Sequence, residues 1–243
     1  MSPQPPDSPL YGLALHTTTP DLGLALGAVA PGDPPRPDRV QVWPLGGEMA
    51  AQLHQRLGEF LPPQGWGDLA FVAVAVGPGG FTGTRLGVVT ARTLAQQLQI
   101  PLFGVSTLAA IAHGAWRQGA DPQQLGAIAL PARRGQLFGA VYRWQGDDRP
   151  LGGVVADGLF TPEQWQACRE ALPSTPWLLT LPEQAPSSPA EAPASLGADV
   201  ASVWCLAQVA WNQGDRPHWQ EVLPFYGQSP VAESSTPHRV TSP

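Results

Sequence analysis

A continuous apolar run leads directly into a glycine-rich turn in the first half of the chain. Residues 69–76 carry no polar side chain, which predicts a strand buried on both faces. The sequence Gly-Pro-Gly-Gly-Phe-Thr-Gly-Thr-Arg-Leu-Gly follows at 77–87, and a helical pattern continues to Gln99. Glycine permits close backbone approach, and we predict that Thr82 caps a helix beginning at Gly83. Such a helix N-terminus can hold a phosphate or press against another backbone segment.

Strand and helix patterns flank this segment on both sides. Upstream, strands are predicted at 11–15, 23–29 and 39–43, followed by a helix at 48–61. A short apolar stretch at 102–105 and a helix at 107–117 come next. Past them the order recurs in weaker form, with strands at 126–130, 136–144 and 153–156, a helix capped by Thr161, a strand at 177–181 and a helix at 198–213. The sequence therefore predicts an α/β protein built from duplicated β-β-β-α-β-α units.

The predicted boundaries divide the chain into two lobes, at 10–105 and 106–228. Within the second lobe, residues 182–195 are rich in Pro, Ala and Ser and carry too little apolar surface to pack, so we expect a flexible loop. The ends, 1–9 and 229–243, are polar and are expected to be disordered.

Composition limits the classes of function. The chain has 13 arginines, no lysine and a net charge of −6, which argues against a basic face that grips nucleic acid unaided. The only two cysteines, Cys168 and Cys205, lie far apart in helical patterns, so we expect no disulfide and a cytoplasmic location. The longest apolar run, at 69–76, is too short to span a membrane.

The glycine turn does not match the common phosphate-binding motifs. A Walker A sequence needs a lysine, which this chain lacks, and a dinucleotide fingerprint needs a third glycine where Phe81 and Thr82 stand. Gly77 and Gly79 remain candidate contacts for a phosphate or a nucleotide. Arg133 and Arg134, in a turn after a predicted strand, are candidate contacts for a phosphate or a carboxylate, although adjacent arginines in a turn are usually solvated.

No metal site or catalytic set is predicted. The five histidines are far apart in sequence, and no two carboxylates are placed to act as acid and base. The segment Gly104-Val-Ser-Thr-Leu108 resembles a nucleophile elbow until its last position, where leucine replaces glycine. Ser106 or Thr107 is better explained as a helix cap.

Small residues form one ridge of the helix that follows the glycine turn. Gly83, Gly87, Ala91 and Ala95 recur every four residues, and such a ridge lets another helix approach closely. Packing against the protein's own sheet is the alternative. Other residues of this helix offer a second candidate core face, so we expect the ridge to be free for a partner.

Six segments resemble, in order, the TsaB family, also called YeaZ. They are Leu13–Pro20, Val76–Gly87, Ala91–Leu94, Ile100–Leu108, Ala132–Gly135 and Leu223–Tyr226. The resemblance implies an actin-like ATPase (ASKHA, glycopeptidase-like) fold and a non-catalytic role in making threonylcarbamoyl-adenosine beside the anticodon of tRNA.

The resemblance also implies partners. Members pair with a catalytic TsaD-like subunit, which would carry ATP and metal, so no cofactor is expected in this chain; a TsaE-like ATPase joins the pair, and tRNA is contacted only through the complex. Apart from the resemblance, an exposed ridge of small residues without its partner often self-associates, so homodimer and monomer both stay open for the free chain. The family's partner surface involves the helices that match 48–61 and 83–99. The candidate partner-binding residues are Gly83, Arg85, Gly87, Ala91, Ala95, Met49 and Leu53.

Three departures from the family pattern bear on chemistry. The family usually has an aspartate at His16, where active actin-like ATPases use a carboxylate near metal and phosphates, and a neutral imidazole cannot supply that charge. The usual Asp-Ala-Arg-x-Gly-Glu-Val-Tyr stretch is Pro131-Ala-Arg-Arg-Gly-Gln-Leu-Phe138 here, and Met49 stands where a histidine is common. Two alternatives stay open: an actin-like small-molecule kinase, and a glycopeptidase-like protease.

Overall fold

Two β-sheets organise the chain in the computed structural model, which describes residues 10–29, 35–180 and 199–225. The first is a five-stranded sheet in the order β3-β2-β1-β4-β5, with β4 parallel to both β1 and β5 and the other pairs antiparallel. Its strands are β1 (Tyr11–His16), β2 (Asp21–Ala28), β3 (Arg39–Pro44), β4 (Leu69–Ala75) and β5 (Leu102–Val105).

The second sheet has four strands in the order β8-β7-β6-β9, and only the pair of β6 with β9 is parallel. Its strands are β6 (Gly126–Pro131), β7 (Leu137–Arg143), β8 (Gly152–Phe160) and β9 (Trp177–Thr180). Both sheets thus contain an antiparallel meander of three strands whose first member also pairs with a later parallel strand.

The helices pack on these sheets in three layers. The helices are α1 (Met49–Phe60), α2 (Phe81–Leu98), α3 (Thr107–Arg117), α4 (Pro162–Glu170) and α5 (Val200–Asn212), with 3-10 turns at Gly46–Glu48, Trp66–Asp68, Arg133–Gly135 and Trp219–Glu221. α1 and α2 cover one face of the first sheet, α5 and α3 lie between the sheets, and α4 covers the outer face of the second. The order of layers is therefore α/β/α/β/α.

The strand sequences explain why the two faces of the first sheet take different helices. Alternate residues point to opposite faces, and in β1 the leucines Leu13 and Leu15 meet α1 and α2 while Ala14 meets α5. The smaller residues leave room for Trp204 of α5, which is 1% exposed and donates its indole N–H to the Gly12 carbonyl at 2.8 Å. A tryptophan is thereby buried with its polar atom bonded.

Helix α5 corrects the predicted lobe boundary. It falls within the predicted second lobe, 106–228, but packs against β1, β2 and β4 of the first sheet. The segment after it also returns there, since the Leu102 amide donates to the Pro217 carbonyl at 3.2 Å. The predicted loop 182–195 and the ends 1–9 and 229–243 lie outside the described residues.

Strand β8 is longer than predicted. The sequence pattern predicted a strand only at 153–156, because Asp157 and Gly158 interrupt the apolar run. The structure continues it to Phe160. Gly158 pairs with Gly139 of β7, and the Asp157 carboxylate receives hydrogen bonds from two side chains described below. A polar residue that pattern analysis treats as a strand end is satisfied here by tertiary contacts.

Candidate functional site

The glycine turn presses against the loop between β1 and β2. The Gly80 amide donates to the Thr18 carbonyl at 2.7 Å, and a Cβ atom on Gly79 would lie 2.3 Å from the same oxygen. Gly77 has φ of +103° and its carbonyl accepts from the Thr107 amide at 2.9 Å. Of the two uses predicted for these glycines, the structure shows close backbone approach, and the phosphate contact of Gly77 and Gly79 stays a prediction.

Helix α2 begins two residues earlier than predicted, and Thr82 is not its cap. Gly80 is the N-cap residue and makes no side-chain cap. Its carbonyl accepts from both the amide and the hydroxyl of Thr84, at 2.9 and 2.8 Å. These bonds continue the helical ladder back to Phe81, so Thr82 lies inside the first turn.

The ridge of small residues on α2 faces inward, so the prediction that it is free for a partner is wrong. Ala91 and Ala95 are fully buried in the core beneath α2. Thr17 crosses the ridge nearer the helix start: its hydroxyl donates to the Gly83 carbonyl at 2.8 Å, and a Cβ on Gly87 would lie 2.1 Å from that hydroxyl oxygen. The close neighbour is the protein's own β1–β2 loop.

The same correction applies to α1. Met49 and Leu53 were predicted to contact a partner, but they are 6% and 0% exposed and pack in the core shared by α1, α2 and the first sheet. Among the seven candidate partner residues, only Arg85 is exposed.

The opposite side of α2 is exposed and was missed by the sequence analysis. We call it the outer face of α2; its exposed members are Phe81, Arg85, Val89, Thr93 and Gln96, and Arg92 on the same side is half-buried. Phe81 and Val89 are 54% and 60% exposed, although a helix normally turns such residues inward. The signal was present in the sequence, since Phe81, Arg85 and Val89 recur every four residues on the side opposite the small ridge.

Arg133 and Arg134 lie in the 3-10 turn between β6 and β7. Both are exposed, and Arg134 has φ of +60° next to Gly135 at +70°. The Ala132 amide donates to the Gln136 carbonyl at 2.8 Å and closes the turn. Within the described part of the chain neither guanidinium forms an ion pair, so both charges point outward, and their ligand stays a prediction.

A first set of hydrogen bonds joins the end of β1 to the start of α3. His16 is completely buried, and burial lowers its pKa to about 4, so the ring is neutral at pH 7. Its Nε2 lies 3.2 Å from the Thr18 hydroxyl, which accepts a hydrogen bond from Thr107 at 3.2 Å. The position where the family usually has a carboxylate is thus filled by an uncharged ring bonded to a hydroxyl.

A second set of hydrogen bonds joins α3 to β7 and β8. The Ser106 hydroxyl accepts from the amides of Leu108 and Ala109 at 3.0 and 3.2 Å, which confirms its predicted role as a helix cap. It also donates to the Asp157 carboxylate, and the Tyr142 hydroxyl donates to the other oxygen of that carboxylate. Burial, together with the nearby Asp157 charge, raises the pKa of Tyr142, so the phenol stays a donor.

These two sets form a chain of contacts, which we call the interlobe network: His16, Thr18, Ser106, Thr107, Tyr142 and Asp157. Ser106 and Thr107 are consecutive, so the network runs from the first sheet through the start of α3 to the second sheet. Ser106 has no imidazole beside it in the described contacts and its hydroxyl is already bonded at both donor and acceptor. The resemblance to a nucleophile elbow therefore carries no chemistry here.

Residues 64–166 match the family described as TsaD, tRNA N6-adenosine threonylcarbamoyltransferase. The tRNA threonylcarbamoyladenosine biosynthesis protein TsaB of Escherichia coli is 39% identical over 87 residues, and that of Bacillus subtilis is 40% identical over 101 residues. The matched segments span 33% and 40% of this chain and only 37% and 40% of those relatives.

A solved structure extends the likeness to the whole fold. YeaZ from Pseudomonas aeruginosa superimposes with a TM-score of 0.67 at 25% identity, covering 89% of this chain and 100% of that one. The fold and the site together define a two-sheet α/β protein whose sheets are joined by its own side chains and whose α2 helix exposes an apolar and cationic face. In sequence over part of its length, and in fold, the chain is similar to the TsaB (YeaZ) family.

Between residues 10 and 225, outside the gaps at 30–34 and 181–198, no three His, Cys, Asp or Glu side chains come together as a metal site. None of the helices described above is long and apolar enough to cross a membrane.

A glycine-to-alanine pair tests the inward orientation of the α2 ridge. We expect Gly87→Ala to lower the free energy of unfolding by about 1–3 kcal/mol, because its methyl group displaces Thr17 and breaks the bond to Gly83. Gly58→Ala, on the exposed side of α1 with no atom near the new Cβ, should instead raise it by about 0.5–1 kcal/mol. Urea unfolding measures both. Equal effects of the two substitutions would contradict the packing of Gly87.

A tyrosine-to-phenylalanine pair tests the interlobe network. Tyr142→Phe leaves one Asp157 oxygen without its donor, so we expect a loss of about 1–3 kcal/mol in the free energy of unfolding. Tyr11→Phe is the control, because the Tyr11 hydroxyl makes no hydrogen bond within the described residues, and it should change stability by less than about 0.5 kcal/mol. Hydrogen exchange at the start of α3 should rise only in Tyr142→Phe. If exchange there is unchanged, the phenol does not hold α3.

Buried titratable groups in the middle layer give the stability a defined pH dependence. His113 of α3 lies 3.0 Å through Nδ1 from the Ser202 hydroxyl of α5, and burial lowers its pKa to about 4, as for His16. The unfolded chain therefore binds more protons than the folded one between pH 4 and 6.5, and stability falls as the pH is lowered through that range. Asp199 acts oppositely, since burial raises its pKa to about 7.

The measurement is urea unfolding at pH 7, 6 and 5. Each buried imidazole should remove up to about 3 kcal/mol as the pH falls from 6.5 to 4. Asp199→Asn should steepen this fall, because it removes the group that favours folding on acidification. A variant with the same pH slope as the parent protein would show that the Asp199 carboxyl is not desolvated.

Proposed function

We propose that this chain is a non-catalytic scaffold that binds and stabilises a TsaD-like catalytic subunit in the threonylcarbamoyl-adenosine modification of tRNA. The relatives are named as biosynthesis proteins for this nucleoside, and the similarity of this chain to them in sequence and fold is the main support. The TsaD-like subunit would supply ATP, metal and the transfer step. A TsaE-like ATPase would join the pair, and the complex would act in the cytoplasm.

The interlobe network is the observation that favours a non-catalytic chain. The network places a neutral imidazole at the end of β1, and its carboxylate, Asp157, accepts hydrogen bonds from Ser106 and Tyr142. Neither group is therefore a charged, open ligand for a metal ion bound to phosphates. The kinase and glycopeptidase alternatives both require such a ligand or a free nucleophile, and no contact of the described residues favours either one.

The repeated sheet topology supports the proposed actin-like architecture. Each sheet has a three-strand meander, then a helix, then a strand parallel to the first strand of the meander. We infer two related units that face each other across α3 and α5. The interlobe network would then stand between them, in the region where active members of that fold class bind nucleotide.

The proposed partner surface is the outer face of α2 together with the exposed side of α1. α1 and α2 pack beside each other on the same face of the first sheet, so their exposed sides form one surface. Arg85 is retained from the sequence-based candidates, and Val89 replaces the buried alanines as the apolar contact. In the complex, Arg133 and Arg134 are candidate contacts for tRNA. Without the partner, the outer face of α2 would be open to self-association of the free chain.

A charge substitution at the centre of this surface tests the scaffold. We expect Val89→Glu to weaken binding to the TsaD-like subunit of the same organism by roughly thirtyfold or more, because an unpaired carboxylate would be buried at the contact. Isothermal titration calorimetry with the purified proteins measures the affinity, and circular dichroism checks that the variant is folded.

Val40→Glu is the matched control. Val40 is 42% exposed and pairs with Ala25, whose side chain faces α5, so it lies on the face of the first sheet opposite α1 and α2. The Val40→Glu variant should bind the TsaD-like subunit with the same affinity as the parent protein. An ATP hydrolysis assay on the isolated chain completes the test: metal-dependent turnover, or no binding of the TsaD-like subunit, would contradict the scaffold and favour the kinase.

A further inference from the structure

Helix α2 is cationic in an acidic protein. Residues 81–98 include Arg85 and Arg92 and no Asp or Glu, whereas the whole chain carries a net charge of −6. Both arginines belong to the outer face of α2, on either side of Val89. The positive charge of this helix therefore differs in sign from the net charge of the chain and is a local property of the outer face of α2.

Aromatic rings hold both guanidinium groups in place. The Arg85 guanidinium lies 5.1 Å from the centre of the Phe81 ring, and that of Arg92 lies 5.7 Å from the centre of the Trp219 ring. A guanidinium stacked on a ring keeps its N–H groups available in its own plane for a carboxylate. Within the described segments neither arginine forms an ion pair, so both charges are oriented but not neutralised.

The segment after α5 extends this surface. Trp219 begins a 3-10 turn that packs against α2, and Val222 packs into the core beneath it. Leu223 is 62% exposed, the largest exposed fraction among the large apolar residues described as exposed. Glu221 lies in the same turn and forms no ion pair with Arg92. The outer face of α2 is thus continuous with the turn at 219–221, which the sequence analysis assigned no role.

We propose that this composite surface binds a partner face on which apolar side chains are flanked by carboxylates. The proposal rests on the scaffold function above, and its occupant is the TsaD-like subunit. Val89 and Phe81 would contact the apolar part, while Arg85 and Arg92 would each receive a carboxylate in the plane of the guanidinium. Arginine suits this task because its planar fork matches both carboxylate oxygens. Complementary charge of this kind sets the orientation and the rate of association.

Paired charge reversals test the carboxylate requirement. In the variant R85E/R92E, we expect the affinity for the TsaD-like subunit to fall by at least about tenfold at low salt, because like charges then face each other. R143E/R149E is the control, since it makes the same change in net charge at two exposed arginines of the second sheet and its loop. Affinities and association rates are measured by surface plasmon resonance between 50 and about 500 mM NaCl, a range that screens exposed charges.

The salt dependence separates the outcomes. For the parent protein and R143E/R149E, association should slow as salt is raised. For R85E/R92E, it should be slow at low salt and become faster as salt is raised, because salt screens the repulsion between like charges. Parent and R85E/R92E proteins that bind equally well, with the same salt dependence, would overturn this proposal and leave the scaffold function standing. Failure of the parent protein to bind at all would overturn both. A third outcome is that the parent protein self-associates, that R85E/R92E abolishes this self-association, and that binding to the TsaD-like subunit is unchanged. It would assign the surface to a second copy of the chain and overturn the proposal.

Discussion

The contact between the β1–β2 loop and the start of α2 determines how the rest of the first sheet is covered. The Thr17 hydroxyl donates to the Gly83 carbonyl, and the Thr18 carbonyl accepts from the Gly80 amide. Thr17 and Gly83 are 66 positions apart in the sequence. Only glycine at Gly79, Gly83 and Gly87 permits this approach. Because the ridge of small residues on α2 packs against this loop, the larger residues of the helix face outward. The exposed apolar surface of α2 is therefore a consequence of the packing on its inner side.

Sequence patterns were sufficient for the order of strands and helices but not for the direction of α2. Hydrophobic and glycine patterns give local structure, so the strand at 69–76, the turn and the helix were predicted within two residues. A ridge of small residues indicates only that something approaches closely. Whether that neighbour is a loop or a partner depends on Thr17, a residue distant in sequence. Asp157 illustrates the same limit, since only the folded chain brings Ser106 and Tyr142 to its carboxylate.

The interlobe network gives the middle of the molecule a different character from an open binding cleft. It contains one carboxylate, three hydroxyls of Ser or Thr, a phenol and a neutral imidazole, joined by hydrogen bonds across both sheets. Separating these groups would cost free energy, because the buried hydroxyls of Thr18, Thr107 and Tyr142 would lose their partners. Domain closure around a ligand would require those bonds to break. The network therefore favours a molecule that keeps one arrangement of its two sheets.

Rigidity in the centre is what makes the outer face of α2 suitable for binding. Association is weakened by the conformational entropy that each partner loses on ordering its contact residues. Here Gly87, Ala91 and Ala95 fix the helix against the sheet from inside, while Phe81 and Trp219 restrict the two arginines on the outside. Little further order remains to be imposed at this surface. A helix held in this way fits the scaffold proposed above, because it presents its outer face without a change of shape.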